Sequence, residues 1–196
     1  MTLPNPILLG RALTVAWINS RIRRLAHDML ETMRAASGIG LAAPQVGVQK
    51  RVIVVDMGDA PLVLVNPKVA ATEGEQVGLE GCLSVPDLVG GARRAEWVMV
   101  KGLNGQGWPV NLEGAGQQAR VLQHEIDHLD GILFIVLIED PTRLWSVSEL
   151  STAAEREVVR IWRDIGGDAS SQWMARGLHP RRCPYRAYQD YRKVWT

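Results

Sequence analysis

Two histidines four residues apart, with a glutamate beside the first, stand in the stretch QHEIDH at residues 123–128. The longer run EGAGQQARVLQHEIDHLDG, residues 113–131, has a helical period: Ala119, Leu122, Ile126 and Leu129 form one apolar stripe. Gly131 stands where such a helix would stop. Residues i and i+4 of a helix share one face, one turn apart, so His124 and His128 can present two imidazole nitrogens to one ion. Glu125 projects about 100° around the helix at 3.6 residues per turn, near such an ion without having to bind it. This is the H-E-x-x-H arrangement, two ligands and a carboxylate that can take a proton from a water activated by the metal. The plain alternative is a polar helix face with two solvated histidines.

A hydrolytic metal usually takes three protein ligands and keeps a fourth position open. Downstream, His179 is the only later histidine, and LDGILFIVL offers none close to the helix. Upstream lies GLEGCLSVPD, residues 78–87, which holds Cys82, one of two cysteines with Cys183. A lone cysteine is commonly a small buried hydrophobe. Cys82, however, follows Glu80 and Gly81 and precedes a proline, a setting for a turn, and its thiolate would complete a Cys-His-His set.

A third stretch, SGIGLAAPQVG at residues 37–47, places Gly38 and Gly40 where the backbone can turn tightly and let another chain approach. It lacks the third glycine of a dinucleotide fingerprint, and a helix rather than a strand precedes it. Taken together, GIGLAAPQVG, EGCLSVP and QHEIDHLDG resemble the three signature motifs of the peptide deformylase family, in the same order and at similar spacing over roughly residues 16–140. The resemblance implies a metal held by Cys82, His124 and His128, with Glu125 as the acid/base group. It implies that the Gln45 side chain and the Leu83 backbone N–H hold the oxyanion, and that Gly40 lines the substrate cleft. Ile126, on the metal helix, is expected to line the pocket for the methionine side chain. The implied reaction is removal of the formyl group from the N-terminal methionine of new bacterial chains, with Fe²⁺ favoured in the cell and Zn²⁺ or Ni²⁺ able to substitute. Two rival readings use the same residues: a zinc endopeptidase built on the HExxH helix, and an altered-specificity or inactive relative that binds ribosome or RNA.

Composition agrees with a cytoplasmic enzyme. The 196 residues suffice for one well-buried core, and the net charge of +1 gives no global bias toward DNA or membrane. Two cysteines argue against a disulfide framework, and no apolar run approaches the ~20 residues of a membrane span. The first 27 residues carry Arg11, Arg21, Arg23 and Arg24 and no acid, as a transit peptide would. Ile18, Ile22, Leu25, Met29 and Met33 nonetheless form a helical stripe that assigns the run to the domain. The expected partners are a nascent formyl-Met polypeptide and the ribosome, with no membrane or DNA partner.

The expected fold is α+β: mostly antiparallel strands around a central metal-binding helix, with a C-terminal helix. A first helix is expected near residues 16–36, and RVIVVDM and PLVLVNPKV read as strands rich in β-branched residues. EWVMVKGLNGQGWPVNLEG reads as a hairpin around NGQG, and ILFIVLI as a buried strand. SVSELSTAAEREVVRIWRDIGG reads as the last helix, with Leu150, Ala154, Val158, Ile161 and Ile165 as its stripe. Residues 1–166 are then the catalytic domain. Residues 167–196 are a basic, aromatic tail with six basic and two acidic residues, a net of +4, and all three tyrosines. Such a composition fits RNA, or a tail that packs its aromatics on the domain. Beside the site the chain departs from the family pattern, with Val89, Ala92, Arg93 and Arg94. Arg94 is expected to pair with Glu80, and Val89 to remove a polar contact to the substrate backbone.

Overall fold

The structure, a computed structural model, describes residues 1–58, 60–138 and 143–146. The chain divides into two compact units, one of Met1–Gln76 with Arg94–Leu133, the other of Val77–Arg93 with the chain from Phe134 onward.

The first unit is built on a five-stranded antiparallel sheet. Its strands are β1 (Gly40–Ala42), β2 (Val52–Val55), β3 (Leu62–Glu73), β6 (Trp97–Leu103) and β7 (Pro109–Ala115), in the order β1-β2-β3-β6-β7. Both faces of its first half are covered, which explains the uninterrupted apolar run of β2. Ile53 and Val55 point into a core shared with the helix α2 (Gly116–Leu129), while Val52 and Val54 pack with α1 (Ser20–Ala35). Alternating residues of an extended strand point to opposite faces, so each β2 side chain serves one core or the other. On α1, Ala26, Met29 and Met33 are buried, and Asn19 caps the helix by accepting from the N–H groups of Arg21 and Ile22. That cap sets the start of α1 at Ser20, a few residues inside the expected span.

The hairpin expected around NGQG is present. Asn104 N–H donates to Trp108 O at 2.9 Å, Gly107 N–H donates to Asn104 O at 2.9 Å, and the flanking strands pair from Leu103↔Pro109 to Trp97↔Ala115.

In the second unit, β4 (Gln76–Cys82) and β5 (Val85–Arg94) are joined by the turn Leu83–Ser84, and β8 (Leu144–Ser146) completes a three-stranded sheet in the order β4-β5-β8. Val89 is opposite Trp145 in that sheet. One expectation fails here. ILFIVLI is not a strand: Phe134–Leu137 is a 3-10 helix. Periodicity alone cannot tell a short, continuously apolar strand from a buried helical turn. Here Leu133, Phe134, Ile135 and Ile138 are buried, a spacing that a tight helical turn satisfies. Ser146, the first residue of the expected C-terminal helix, instead ends β8; the rest of that helix, residues 147–166, and the basic tail from 167 lie outside the described residues. The mostly antiparallel α+β architecture with α2 laid against its sheet is as expected.

Candidate active site

The helix α2 is fixed on several sides before any functional group is considered. Ala119, Leu122, Ile126 and Leu129, the stripe read from the sequence, are buried in one core with Ala42, Ile53, Val98 and Val100. Gln123 is bonded at both ends of its amide: its Nε2 donates to Ala95 O at 3.0 Å and Ala119 O at 2.9 Å, and its Oε1 accepts from Ala95 N–H at 3.1 Å. Arg94 Nη1 donates to Asp127 Oδ2 across the same junction. The Arg94 partner in this unit is thus a residue of the helix itself. At the far end, Asp130 caps the helix and meets Arg51 Nη1 at 2.8 Å.

This anchoring orients the polar face. His124 and His128 lie one turn apart with ring centroids 5.0 Å apart and ring planes at 75°. His128 is 1 % exposed and Glu125 is 5 % exposed. Glu125 lies against β1 at Gly40: a Cβ built on Gly40 would stand 2.9 Å from both Cγ and Cδ of the glutamate. Real Cβ atoms do not approach so closely, so the absent side chain at residue 40 is what lets the carboxylate occupy its place. The sequence reading put Gly40 in the cleft lining, and its contact with Glu125 is an addition the motif did not disclose. Gly40→Ala is expected to keep the fold and lower turnover on the order of 10²-fold, the scale of an ~1 Å misplacement of a reacting group. Steady-state kinetics beside a thermal melt checks this, and wild-type kcat with an unchanged melt would count against it.

Gln45 sits in the 3-10 helix Ala43–Val46 that follows β1, and is 5 % exposed. Ala42 N–H donates to its Oε1 at 2.7 Å. A backbone N–H can face only an acceptor, so this bond fixes which amide atom is which and reserves Nε2 as a donor for another partner. Gln45, Gly40, His124, Glu125, Ile126 and His128 all belong to the first unit.

In the second unit, Cys82 ends β4 and is half-buried. Ser84 N–H donates to its Sγ at 3.4 Å across the turn. Leu83, in the turn itself, is 40 % exposed. By residue type, Cys82 of the second unit and His124 and His128 of the first make up a Cys/His/His donor set. Two imidazoles and a thiolate suit Zn²⁺, Fe²⁺ or Ni²⁺ rather than oxygen-seeking Mg²⁺ or Ca²⁺, so the donor set fits the metal that the motif implies.

A mostly antiparallel sheet that carries a buried HExxH helix, with a glutamine amide held beside it, defines a hydrolase of the metal-dependent kind. Comparison with known proteins narrows the class. A family model described as polypeptide deformylase matches residues 1–143, and the chain belongs to that family. The peptide deformylase of Syntrophomonas wolfei is 54% identical over 135 residues, 69% of this chain and 89% of that one. Among solved structures, a peptide deformylase from Legionella pneumophila superposes with a TM-score of 0.70 at 37% identity, covering 83% of this chain and 94% of that one. That of Thermus thermophilus gives 0.69 at 42% identity over 84% and 96%.

Proposed function

We propose that this chain removes the N-formyl group from the initiator methionine of nascent polypeptides, with one divalent ion held by Cys82, His124 and His128. The observation that carries this reading is Glu125: buried, not among the candidate ligands, and seated against a glycine beside two histidines on one helix face. When bound, the ion lowers the pKa of a water molecule toward about 7 and so supplies a nucleophile near neutral pH. Fe²⁺ is the ion proposed for the cell, with Zn²⁺ or Ni²⁺ as substitutes.

The chain's own residues then divide the work. Gln45 Nε2 and the Leu83 N–H donate to the formyl oxygen as it becomes an oxyanion, and one such donor typically contributes about 2.7–4 kcal/mol to the barrier. Glu125 takes a proton from the attacking water and delivers it to the amine nitrogen as the formyl C–N bond breaks. The products are formate and a free methionine amine. Gly40 and Ile126 are proposed to border the substrate, Gly40 by leaving space at the edge strand β1 and Ile126 from the helix.

The catalytic domain is proposed to span residues 1–166, with residues 167–196 as an appended tail. The substrate is made at the ribosome, so the proposed location is the bacterial cytoplasm and the proposed partner the ribosome. Among the described residues no helix is long and apolar enough to cross a membrane.

The test is formate release from a short formyl-Met peptide, run beside its acetyl-Met counterpart. The formyl peptide should turn over at least about tenfold faster, because a hydrophobic or polar site discriminates one methyl group by about 10–200-fold. Comparable rates for the two, or cleavage of internal peptide bonds, would sink the reading.

A further inference from the structure

An acid stands at the wrong end of α2. Asp130 caps the C-terminus of this helix, where the negative pole of the helix dipole disfavours a carboxylate. The helix end also has carbonyls to satisfy, because the last four of a helix lack partners within it. Ile132 N–H donates to Asp127 O at 2.9 Å and Gly131 N–H to His128 O at 3.3 Å, the paired closure of a Schellman turn. That closure leaves the carbonyl of Leu129, the residue after His128, to be met from elsewhere in the fold.

Arg51 meets both needs. Its Nη1 donates to Leu129 O at 3.3 Å and to Asp130 Oδ1 at 2.8 Å, and its Nη2 reaches Asp130 Oδ2 at 3.4 Å and Pro67 O at 3.3 Å. The last contact uses a carbonyl at the irregularity in β3, where the pairing with β6 jumps from Val65 to Lys68. The backbone of Arg51 is held as well: its N–H donates to Leu13 O at 2.9 Å, and its carbonyl accepts from Asn66 N–H at 2.8 Å. Only 13% of the Arg51 side chain is exposed, so the guanidinium is shielded and its position set. Arg11 is the contrast, since it meets the same carboxylate with a side chain that is 82% exposed.

We propose, resting on the metal reading above, that Arg51 is a positioning residue for His128. Its guanidinium ties the last turn of α2 to β3 of the same unit and so fixes the direction from which that imidazole meets the ion. His124, one turn earlier, follows Gln123, whose amide is bonded to Ala95, so the two histidines are held by different anchors. Arginine suits the task because its planar fork offers several donors in fixed directions, whereas an ammonium is a point charge.

The experiment measures Zn²⁺ affinity of the metal-stripped full chain by competition with a chromophoric chelator, beside thermal melts with and without Zn²⁺. Arg51→Ala should weaken Zn²⁺ binding about tenfold, the lower end of the range for residues that orient a ligand from outside the ligand set. An ion bound only by the folded chain raises the melt by an amount set by its affinity, so the gap between the two melts should narrow. A residue that only stabilised the fold would lower both melts alike and leave the affinity unchanged, and that result would overturn the proposal. Arg51→Lys keeps the charge at the helix end and loses the fork. Its affinity should fall between those of Arg51→Ala and the unaltered chain, and wild-type affinity in it would overturn the proposal even if Arg51→Ala does not fold. Arg11→Ala should leave the affinity unchanged, because an exposed ion pair contributes little. A loss there as large as in Arg51→Ala would assign the effect to charge around Asp130 and overturn the role of the fork. Zn²⁺ binding that responds as expected without formate release would sink the deformylase reading and leave this one standing. An unaltered chain that takes up no Zn²⁺ would sink the metal reading and this proposal with it.

Discussion

Glu125→Ala is expected to leave the metal content of the purified protein unchanged while kcat/KM on a formyl-Met peptide falls by about 10²- to 10⁴-fold, the scale of a lost general acid/base. The expectation follows from placement. The carboxylate is buried against Gly40, on the helix that carries both histidines but not on their face. Glu125→Gln keeps the shape and removes the base, so it should lose nearly as much. Elemental analysis beside single-turnover kinetics checks both. Metal lost together with activity would make Glu125 a ligand, and activity retained in both variants would place the base elsewhere.

The second large effect belongs to the ligands. Cys82→Ala, His124→Ala and His128→Ala should each bring bound metal well below that of the unaltered protein. Activity should fall by more than the 10–100-fold that follows loss of a partner outside the ligand set. His128 is 1 % exposed, so its truncation also leaves a hole in the helix packing. The melt of each variant should therefore be compared with that of metal-stripped unaltered protein, which separates loss of the ion from loss of the fold. Full metal occupancy in Cys82→Ala would show the thiolate to be a bystander.

The helix that carries these groups was readable because its constraints are local. The spacing of Ala119, Leu122, Ile126 and Leu129 reports its buried side, and a four-residue step between histidines means one face only on a helix. The hairpin at Asn104–Gly107 was equally plain, because turn residues between two β-branched runs act over a few positions. What escaped was pairing at a distance. Nothing in the chain announces that Arg94 reaches Asp127, that Gln123 holds both backbone groups of Ala95, or that Gly40 is vacant for the sake of Glu125. Those facts depend on how strands and helix are laid together. The 3-10 helix at Phe134–Leu137 was misread as a strand for a related reason: continuous burial erases the periodicity that distinguishes the two.

Gly131 follows the last turn of α2 with φ 76°, and a Cβ on it would stand 2.7 Å from the carbonyl carbon of Leu9. Ala12 N–H donates to Leu129 O at 2.8 Å, and Arg11 Nε meets Asp130 Oδ1 at 3.3 Å. Residues near 10 are thus seated on residues near 130. During synthesis the early segment can meet residues 49–66, to which Ile7, Leu13 and Val15 are bonded, but its seat on the end of α2 must wait until that helix has been made. At roughly 5–20 residues per second, that wait lasts about 6–24 s. The enclosure of the helix end therefore comes late in the birth of the molecule, and a nascent copy truncated before residue 129 should be more protease-sensitive around residues 9–12 than the full chain.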